Sequence, residues 1–273
     1  MINIQSCYTS NIVGKINIKA TMPSSDLNNL QANIAGPCMD KPADIRCATC
    51  IMDTSYYFNE LSLQAKHDLQ PSLSLKHFKK KDMLYKEGDA SSHLYILLTG
   101  EVKVYKTFPN GKQQIHKLVQ IPGDLIACED LYLHAHGSSA EALNDVSVCY
   151  LKNEDLQKSI ERYKEISDTM MQAMSRSLNA YIRHIANLGQ KNALERLASY
   201  IVFLSESHHE RQLKSNDLND SLSRVELADM LGVTQRTLIR SIKQLELANY
   251  ISISKEGFCI LDLQALENIS SGI

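Results

Sequence analysis

Apolar residues in the middle of the chain fall in short runs, separated by turn signals, that predict β-strands. The stretch LYILLTGEVKVYK, residues 94–106, is rich in β-branched and aromatic side chains. A turn signal, Pro109-Asn110-Gly111, separates it from another strand-like run. Because further short runs follow at intervals of about ten residues, residues 57–158 predict a small antiparallel β-roll of the jelly-roll type.

After this region the apolar period changes to that of a helix. A narrow seam with spacings of three and four residues usually faces a second helix, and Arg176, Asn179 and Arg183 keep the other faces polar. We therefore predict a dimerisation helix at residues 159–190 and a homodimer; the alternative is that the seam packs on its own domain. The predicted interface residues are Met171, Met174, Leu178, Tyr181, Ile185 and Leu188.

Residues 191–273 predict a third, DNA-binding part of the chain. In the stretch SLSRVELADMLGVTQRTLIRSIKQLE, Ser223 and Glu226 have the spacing of a capping box that opens a helix. Gly232 ends this helix, and Thr234 can cap the next one. Two short helices joined by a glycine turn indicate a helix-turn-helix, and the hairpin-like NYISISKEGFCILDL adds a wing. The expected fold class is therefore α+β, with a β-roll, a long helix and a C-terminal winged helix-turn-helix.

The outer face of the second predicted helix carries side chains that suit DNA. Arg236 and Arg240 can each form a bidentate pair with guanine, and Ile239 can contact a thymine methyl group. Thr234 and Thr237 are expected to contact phosphates, which position the helix without reading sequence. The predicted DNA-binding residues are Thr234, Gln235, Arg236, Thr237, Ile239, Arg240 and Lys243.

Composition limits the class of protein and its partners. The net charge of −2 requires that nucleic acid bind to a local patch. The chain start lacks the apolar run of a signal peptide, and no run is long enough to span a membrane, so we expect a cytoplasmic protein without a membrane partner. A Cys-x-x-Cys oxidoreductase needs a βαβ context that this sequence lacks. We therefore expect no enzymatic activity.

Three of the seven cysteines cluster near the start of the chain. Cys38, Cys47 and Cys50 fall in residues 1–56, an otherwise polar stretch that predicts a flexible tail with a cysteine segment. Thiols stay reduced in the cytoplasm, so a structural disulfide is not the expected use of this pair. The spacing leaves three alternatives open, which are metal binding, thiol–disulfide exchange and no function.

The order of these parts resembles the Crp/Fnr family of bacterial transcription regulators. The matching stretches are LYKEGDASSHLYILLTGEVKVYK, GDLIACEDL, KNALERLASYIVFLS and RVELADMLGVTQRTLIRSIKQLE. The resemblance implies a dimer that binds a palindromic promoter site and contacts RNA polymerase through surface loops such as Phe108–Lys112. Relatives that sense cyclic nucleotides hold the phosphate with an arginine in the roll. Here Ser138 and Ser139 stand at that place, so no cyclic nucleotide is expected.

Within the family the chain is most similar to the Fnr branch, which senses oxygen through a [4Fe–4S] cluster with thiolate ligands. Cys47 and Cys50 match the N-terminal pair of that branch, and Cys149 matches its cysteine in the roll. Tyr56 stands near the place of a further ligand, so we expect Cys38 to supply the fourth thiolate, with an oxygen of Asp53 as the weaker alternative. The resemblance thus implies a cluster on Cys38, Cys47, Cys50 and Cys149.

Other uses of the same cysteines remain open at this point. Cys47 and Cys50 could form a regulatory disulfide, or one of them could pair with Cys149. A zinc ion on these thiolates, or a regulator with a vestigial sensor and no cofactor, are further alternatives. The DNA half-site should also differ from the usual Fnr half-site, because Arg236 and Ile239 replace the glutamate and serine common in that branch, whereas Arg240 matches.

Overall fold

The computed structural model describes residues 55–210, 217–219, 221–254 and 257–272. Three of the predicted cluster ligands, Cys38, Cys47 and Cys50, lie outside these residues. In the described part of the chain a β-roll, a long helix and a winged helix-turn-helix follow one another in the predicted order. The predicted α+β fold class is therefore confirmed.

Eight strands of the described residues make up the roll: β1 (Ser74–Phe78), β2 (Met83–Tyr85), β3 (His93–Thr99), β4 (Val102–Thr107), β5 (Gln113–Val119), β6 (Leu125–Ile126), β7 (Ser139–Ala142) and β8 (Val146–Lys152). They form two four-stranded antiparallel sheets, with strand orders β1-β8-β3-β6 and β2-β7-β4-β5. Side chains from both sheets, such as Leu97 and Val104, meet between them and form a buried core, because alternate side chains of a strand point to the same face of its sheet.

Ser55, where the described chain begins, is fixed on the roll. Its buried hydroxyl donates a hydrogen bond to the carbonyl of Gly123 at 3.1 Å. Gly123 has a φ of +96°, and a Cβ there would lie 3.0 Å from the Cα of Ser55. Glycine is therefore needed both for this backbone conformation and for the close approach of Ser55. Helix α1 (Leu63–Leu69) follows, and the Ser62 side chain caps its N-terminus.

Helices α2 (Asn153–Arg162) and α3 (Lys164–Gln190) follow the roll, separated by an extended residue, Tyr163. The long helix therefore begins five residues later than residue 159, where the sequence prediction placed it. One side of α3 is buried on the described chain. None of the described helices is both long enough and apolar enough to span a membrane. The buried residues of α3 are Ile166, Thr169, Met170, Ala173 and Ser177.

The C-terminal domain shares a hydrophobic core with the roll. Tyr105 and Ile115, which lie in β4 and β5, pack in one cluster with Leu227 and Leu238 of the helix-turn-helix. The wing has a third strand that the sequence did not indicate, because Asp217–Asn219 pairs with Gly257–Ile260. The elements are α4 (Ala193–Glu210), β9 (Asp217–Asn219), α5 (Arg224–Leu231), α6 (Gln235–Leu247), β10 (Ile251–Ile253), β11 (Gly257–Ile260) and α7 (Leu263–Ser270).

Candidate DNA interface and cysteine site

The turn between α5 and α6 is set by the local hydrogen bonds that the sequence predicts. The Ser223 hydroxyl accepts from the Glu226 amide at 3.3 Å, and the Glu226 carboxylate accepts from the Ser223 amide at 2.9 Å. Gly232 ends α5 in the left-handed conformation, with φ +63°. The Thr234 hydroxyl accepts from the Thr237 amide at 3.2 Å and caps α6. The predicted capping box, glycine turn and threonine cap are confirmed.

Helix α6 presents a buried face and an exposed face. Leu238, Ile242 and Leu245 are buried in the shared core, as their spacing predicts. The residues predicted to bind DNA lie away from this core. All are exposed except Thr237, which is half-buried. A polar and cationic face on the second helix of a helix-turn-helix can enter the major groove. The exposed residues are Thr234, Gln235, Arg236, Ile239, Arg240 and Lys243.

A stripe of large apolar side chains on α3 is open to solvent in the described chain. Met171, Leu178, Ile182 and Ile185 are each between 53% and 67% exposed. Their spacings of seven, four and three residues place them on one line along the helix. We call these four residues the α3 stripe. Ile182 was absent from the sequence prediction, although this spacing could have revealed it.

Three residues of the predicted seam are half-buried instead: Met174, Tyr181 and Leu188. The hydroxyl of Tyr181 donates to Oε1 of Glu129 at 3.0 Å. The Cδ2 atom of Leu188 lies 3.0 Å from where a Cβ on Gly232 would be. Tyr181 and Leu188 therefore contact their own chain, on the flank of α3 next to the stripe.

A polar cluster links the roll to α3. Nζ of Lys117 lies 2.5 Å from Oε1 of Glu129, and the hydroxyls of Ser177 and Tyr181 donate to the same oxygen at 2.7 and 3.0 Å. Burial alone would raise the pKa of Glu129, but the Lys117 ammonium and these hydrogen bonds hold it at about 2. Burial raises the pKa of the adjacent Cys128 thiol to about 12, so this cysteine stays protonated.

The two serines at the place of the nucleotide-binding arginine are hydrogen-bonded within the chain. The Ser138 hydroxyl lies 2.9 Å from Nε2 of His116. The Ser139 hydroxyl accepts from the Glu87 amide at 2.9 Å. Neither side chain can form the charge-assisted bidentate pair that an arginine forms with a phosphate.

Of the four predicted cluster ligands, Cys149 is the one in the described residues, and it is only 5% exposed. It pairs in register with Ile96 of β3. Because their neighbours Val148 and Leu97 point into the roll core, Cys149 and Ile96 point to the opposite face of the sheet. Among the described residues no group of three or more potential ligands is placed for a metal ion.

The chain length between Ser55 and the cysteine pair allows a shared site with Cys149. Ser55 is hydrogen-bonded to Gly123, and the Gly123 amide donates to the Leu97 carbonyl of β3. Strand β3 in turn pairs with β8. Two strand spacings therefore separate Gly123 from β8, which is about 10 Å. Five residues lead from Ser55 back to Cys50, and an extended chain of that length spans about 17 Å. A buried thiol within this reach fits a cluster ligand.

Tyr56, near the place of the missing ligand, is stacked on α3. The guanidinium carbon of Arg176 lies 3.6 Å from the centroid of the Tyr56 ring and 5.5 Å from that of Tyr57. Both distances are within the range of a cation–π interaction. The residues that follow the cysteine segment are thus held at two points, on Gly123 of the roll and on Arg176 of α3.

Comparisons with known proteins agree with this architecture. Residues 75–163 match the family model of the cyclic nucleotide-binding domain, and residues 195–269 match that of the Crp-like helix-turn-helix domain. The anaerobic regulatory protein of Pasteurella multocida is 28% identical over 195 residues, which are 71% of each chain. The nitrogen fixation regulation protein FixK of Bradyrhizobium diazoefficiens is 26% identical over 237 residues, which are 85% of this chain and 97% of FixK.

A solved structure is also similar to this chain. The structure of FixK2 from Bradyrhizobium japonicum is similar with a TM-score of 0.65 at 25% identity, over 72% of this chain and 96% of FixK2. These relatives are regulators and not enzymes, and both domain matches fall on the roll and the helix-turn-helix described above. This chain belongs to the Crp/Fnr family and is a DNA-binding transcription regulator.

Proposed function

We propose that this regulator senses oxygen or redox state through a [4Fe–4S] cluster on Cys38, Cys47, Cys50 and Cys149. When bound, such a cluster supplies an oxygen-labile centre, as the resemblance to the Fnr branch implies. The observation that carries the proposal is the position of Cys149, buried and within chain reach of the cysteine pair. The similar Pasteurella multocida protein is named as an anaerobic regulator, which agrees with this kind of signal.

The burial of Cys149 disfavours exchange of its thiol with thiols or disulfides from solvent. Exchange requires a thiolate that another thiol or disulfide can reach. Cys149 is 5% exposed and lies in the middle of β8, paired on both sides by β1 and β3. A disulfide between Cys47 and Cys50 alone is the alternative that the experiment below must separate.

A second copy of the chain is the proposed partner of the α3 stripe. Four exposed apolar side chains on one line of a 27-residue helix match the seam of a two-stranded coiled coil. A two-fold dimer places two recognition helices about 34 Å apart, one turn of DNA, so its target is a palindrome. Arg236 and Arg240 then read guanines in each half-site.

Two sets of contacts provide a route from the cysteine segment to the DNA interface. Tyr56 stacks on Arg176 of α3, so movement of the cysteine segment acts directly on the dimer helix. Lys103 of the roll forms an ion pair with Glu226 at the start of α5, so movement of the roll acts on the helix-turn-helix. In the proposed mechanism the state of the cysteine site changes the orientation of the recognition helices.

The cluster is tested by purification without oxygen, followed by an absorbance spectrum with iron and sulfide counts. We expect about four irons and four sulfides per chain, with absorbance that air bleaches. Cys149→Ser should lose the cluster, whereas Cys128→Ser, which removes the other buried cysteine of the roll, should keep it. A colourless wild-type protein without iron would contradict the proposal, and mass spectrometry after mild oxidation would then test for the disulfide between Cys47 and Cys50.

We also propose that the tip of the β4–β5 hairpin contacts RNA polymerase. Phe108 is exposed there, in a turn closed by hydrogen bonds from the Phe108 amide to the Lys112 carbonyl and from the Gly111 amide to the Phe108 carbonyl. Phe108→Ala should lower transcription in a purified system and leave the DNA affinity unchanged. Unchanged transcription would remove this residue from the contact.

The roll is proposed to act without a cyclic nucleotide. The side chains of Ser138 and Ser139 bind their own chain, and the Lys117–Glu129 pair with Ser177 and Tyr181 already joins the roll to α3. Calorimetric titration with cyclic AMP and cyclic GMP should give no binding heat. Saturable binding of either nucleotide would contradict this part of the proposal.

A further inference from the structure

Side chains from three other elements converge on Gly232, the residue that ends α5 just before the recognition helix α6. A Cβ added there would lie 3.0 Å from Cδ2 of Leu188, 3.4 Å from Nη1 of Arg196 and 3.6 Å from Oε1 of Gln114. These side chains come from α3, α4 and β5. Glycine suits both the left-handed turn, with φ +63°, and the close approach of Leu188. We call these four residues the Gly232 junction.

Two side chains of the junction cap the last carbonyl groups of α5, which have no partner within a helix. Nε2 of Gln114 donates to the Met230 carbonyl at 3.1 Å. Nη1 of Arg196 donates to the next carbonyl, that of Leu231, at 2.8 Å. One of these bonds comes from the roll and the other from α4. The direction in which the chain enters α6 is therefore fixed from outside the helix-turn-helix.

The elements that hold this turn also contact α3, the proposed dimer helix. His116 lies two residues after Gln114, on the same face of β5, and its ring centroid is 5.5 Å from that of Tyr181 in α3. Nε of Arg196 donates to the carbonyl of Lys191, which directly follows α3, at 2.8 Å. The junction therefore fixes the start of the recognition helix relative to the dimer helix.

Gln114 holds the end of α5 opposite to the one that Lys103 holds. Lys103 pairs with Glu226 in the first turn of α5, and Met230 lies one turn further along the helix, about 6 Å away. A helix that is fixed at one point can still pivot about that point, and α6 would move with it. The second contact, at the other end, removes this freedom, so the roll and the recognition helix keep one relative orientation.

We propose that Gln114 is a positioning residue for DNA binding, which orients the recognition helix through its bond to the Met230 carbonyl. In a two-fold dimer this orientation sets the distance and the angle between the two recognition helices, and hence the half-site spacing that the protein prefers. A single half-site is bound by one recognition helix, so its affinity does not depend on this orientation. The inference rests on the proposed dimer but not on the cysteine site.

The test compares the full-length wild type with Gln114→Met. Methionine fills this half-buried position with a side chain of similar length, but its thioether cannot donate to a carbonyl. The matched control is Gln157→Met, which makes the same change at an exposed position of α2. The first probe is a duplex that the wild type selects from random sequences. In the second, one base pair is added between the half-sites, which turns one half-site by about 35° relative to the other. In the third, one half-site is scrambled.

Fluorescence anisotropy gives the affinity for each duplex, and the ratio of the first two affinities is the spacing penalty. The affinity of Gln114→Met for the selected duplex should fall by about tenfold, because both subunits lose an orienting hydrogen bond. Its spacing penalty should be smaller than that of the wild type, and its affinity for the scrambled duplex should stay unchanged. Gln157→Met should match the wild type on all three duplexes.

A Gln114→Met protein that keeps the full spacing penalty would overturn the proposal. So would an equal loss of affinity on the scrambled duplex, because that loss would indicate a general defect of the fold. A wild type without a spacing penalty would instead refute the proposed dimer, on which the inference rests.

Discussion

Nζ of Lys103 in β4 lies 2.6 Å from Oε1 of Glu226, in the first turn of α5, and joins the roll to the DNA-binding domain. The Lys103 side chain is only 5% exposed and also contacts Glu141 at 3.3 Å. Burial alone would lower the pKa of Lys103, but the two carboxylates outweigh it and raise this pKa above its usual value. The other carboxylate oxygen of Glu226, Oε2, accepts a hydrogen bond from the Ser223 amide and so caps the start of α5. One buried cation therefore fixes the start of the helix-turn-helix on the roll.

Glu226→Gln should destabilise the protein because it removes half of the charge that faces buried Lys103. Glutamine can still cap α5 from this position, so the helix itself is retained. Loss of a hydrogen bond to a buried charged group costs about 1–3 kcal/mol, measured as the free energy of unfolding in urea. The matched control is Glu87→Gln, whose pair with Lys106 is exposed. That change should cost less than about 1 kcal/mol; equal costs for the two variants would show that Lys103 is not a buried link.

The Glu129 cluster predicts a specific dependence of stability on pH. The pKa of Glu129 is about 2 in the folded protein, below its ordinary value of 4.5. A carboxyl with a depressed pKa contributes stability that is fully present above 4.5 and is lost as the pH falls towards 2. The free energies of unfolding of wild type and Glu129→Gln should therefore differ most at neutral pH, by up to about 3 kcal/mol. The difference should shrink between pH 4.5 and 2, and a constant difference would contradict this origin.

Ile182→Lys should dissociate the proposed dimer. Each copy loses the burial of one large apolar side chain, about 1.5–3 kcal/mol, so the dissociation constant should rise by at least about 100-fold in sedimentation equilibrium. Leu247→Lys, a control at another highly exposed position, should leave the mass unchanged. Tyr181→Phe should also remain dimeric, because Tyr181 contacts Glu129 of its own chain. Wild-type protein that sediments as a monomer would refute the assignment of the α3 stripe.

Arg240→Ala should reduce the discrimination between a duplex that the wild type selects from random sequences and the same duplex with one guanine replaced. The expected loss is about 1–3 kcal/mol, because a bidentate pair with guanine disappears. Lys243→Gln, one turn further along the exposed face of α6, should weaken all duplexes alike and lower the salt slope by about 1. An Arg240→Ala protein with unchanged selectivity would exclude Arg240 from base reading.

The sequence predicted those features that local chemistry determines. The capping box of Ser223 and Glu226, the left-handed turn at Gly232 and the cap at Thr234 each depend on residues within a few positions of one another. For the same reason the inward face of α6 followed from spacing alone. Such short-range patterns have few alternative structures, so they can be read without the tertiary fold.

The features that the sequence did not predict depend on contacts between distant residues. The Lys103–Glu226 pair joins positions 123 residues apart, and no pattern in either segment indicates it. On α3, the α3 stripe lies beside a second line of residues, Met174, Tyr181 and Leu188. The contact of Tyr181 with Glu129, which is 52 residues away, and that of Leu188 with Gly232 show that the second line faces the chain itself. The spacing of Ile182 was visible in the sequence, but its exposure was not.

If the cysteine site controls DNA binding, the DNA affinity of one anaerobic preparation must change when the protein is exposed to air. Air should change the affinity of the wild type and of Cys128→Ser for a duplex that carries the target site. Cys149→Ser should bind the same duplex with an affinity that air does not change. A wild type whose DNA affinity is insensitive to air would show that the cysteine site does not control DNA binding and would identify a regulator whose sensor is vestigial.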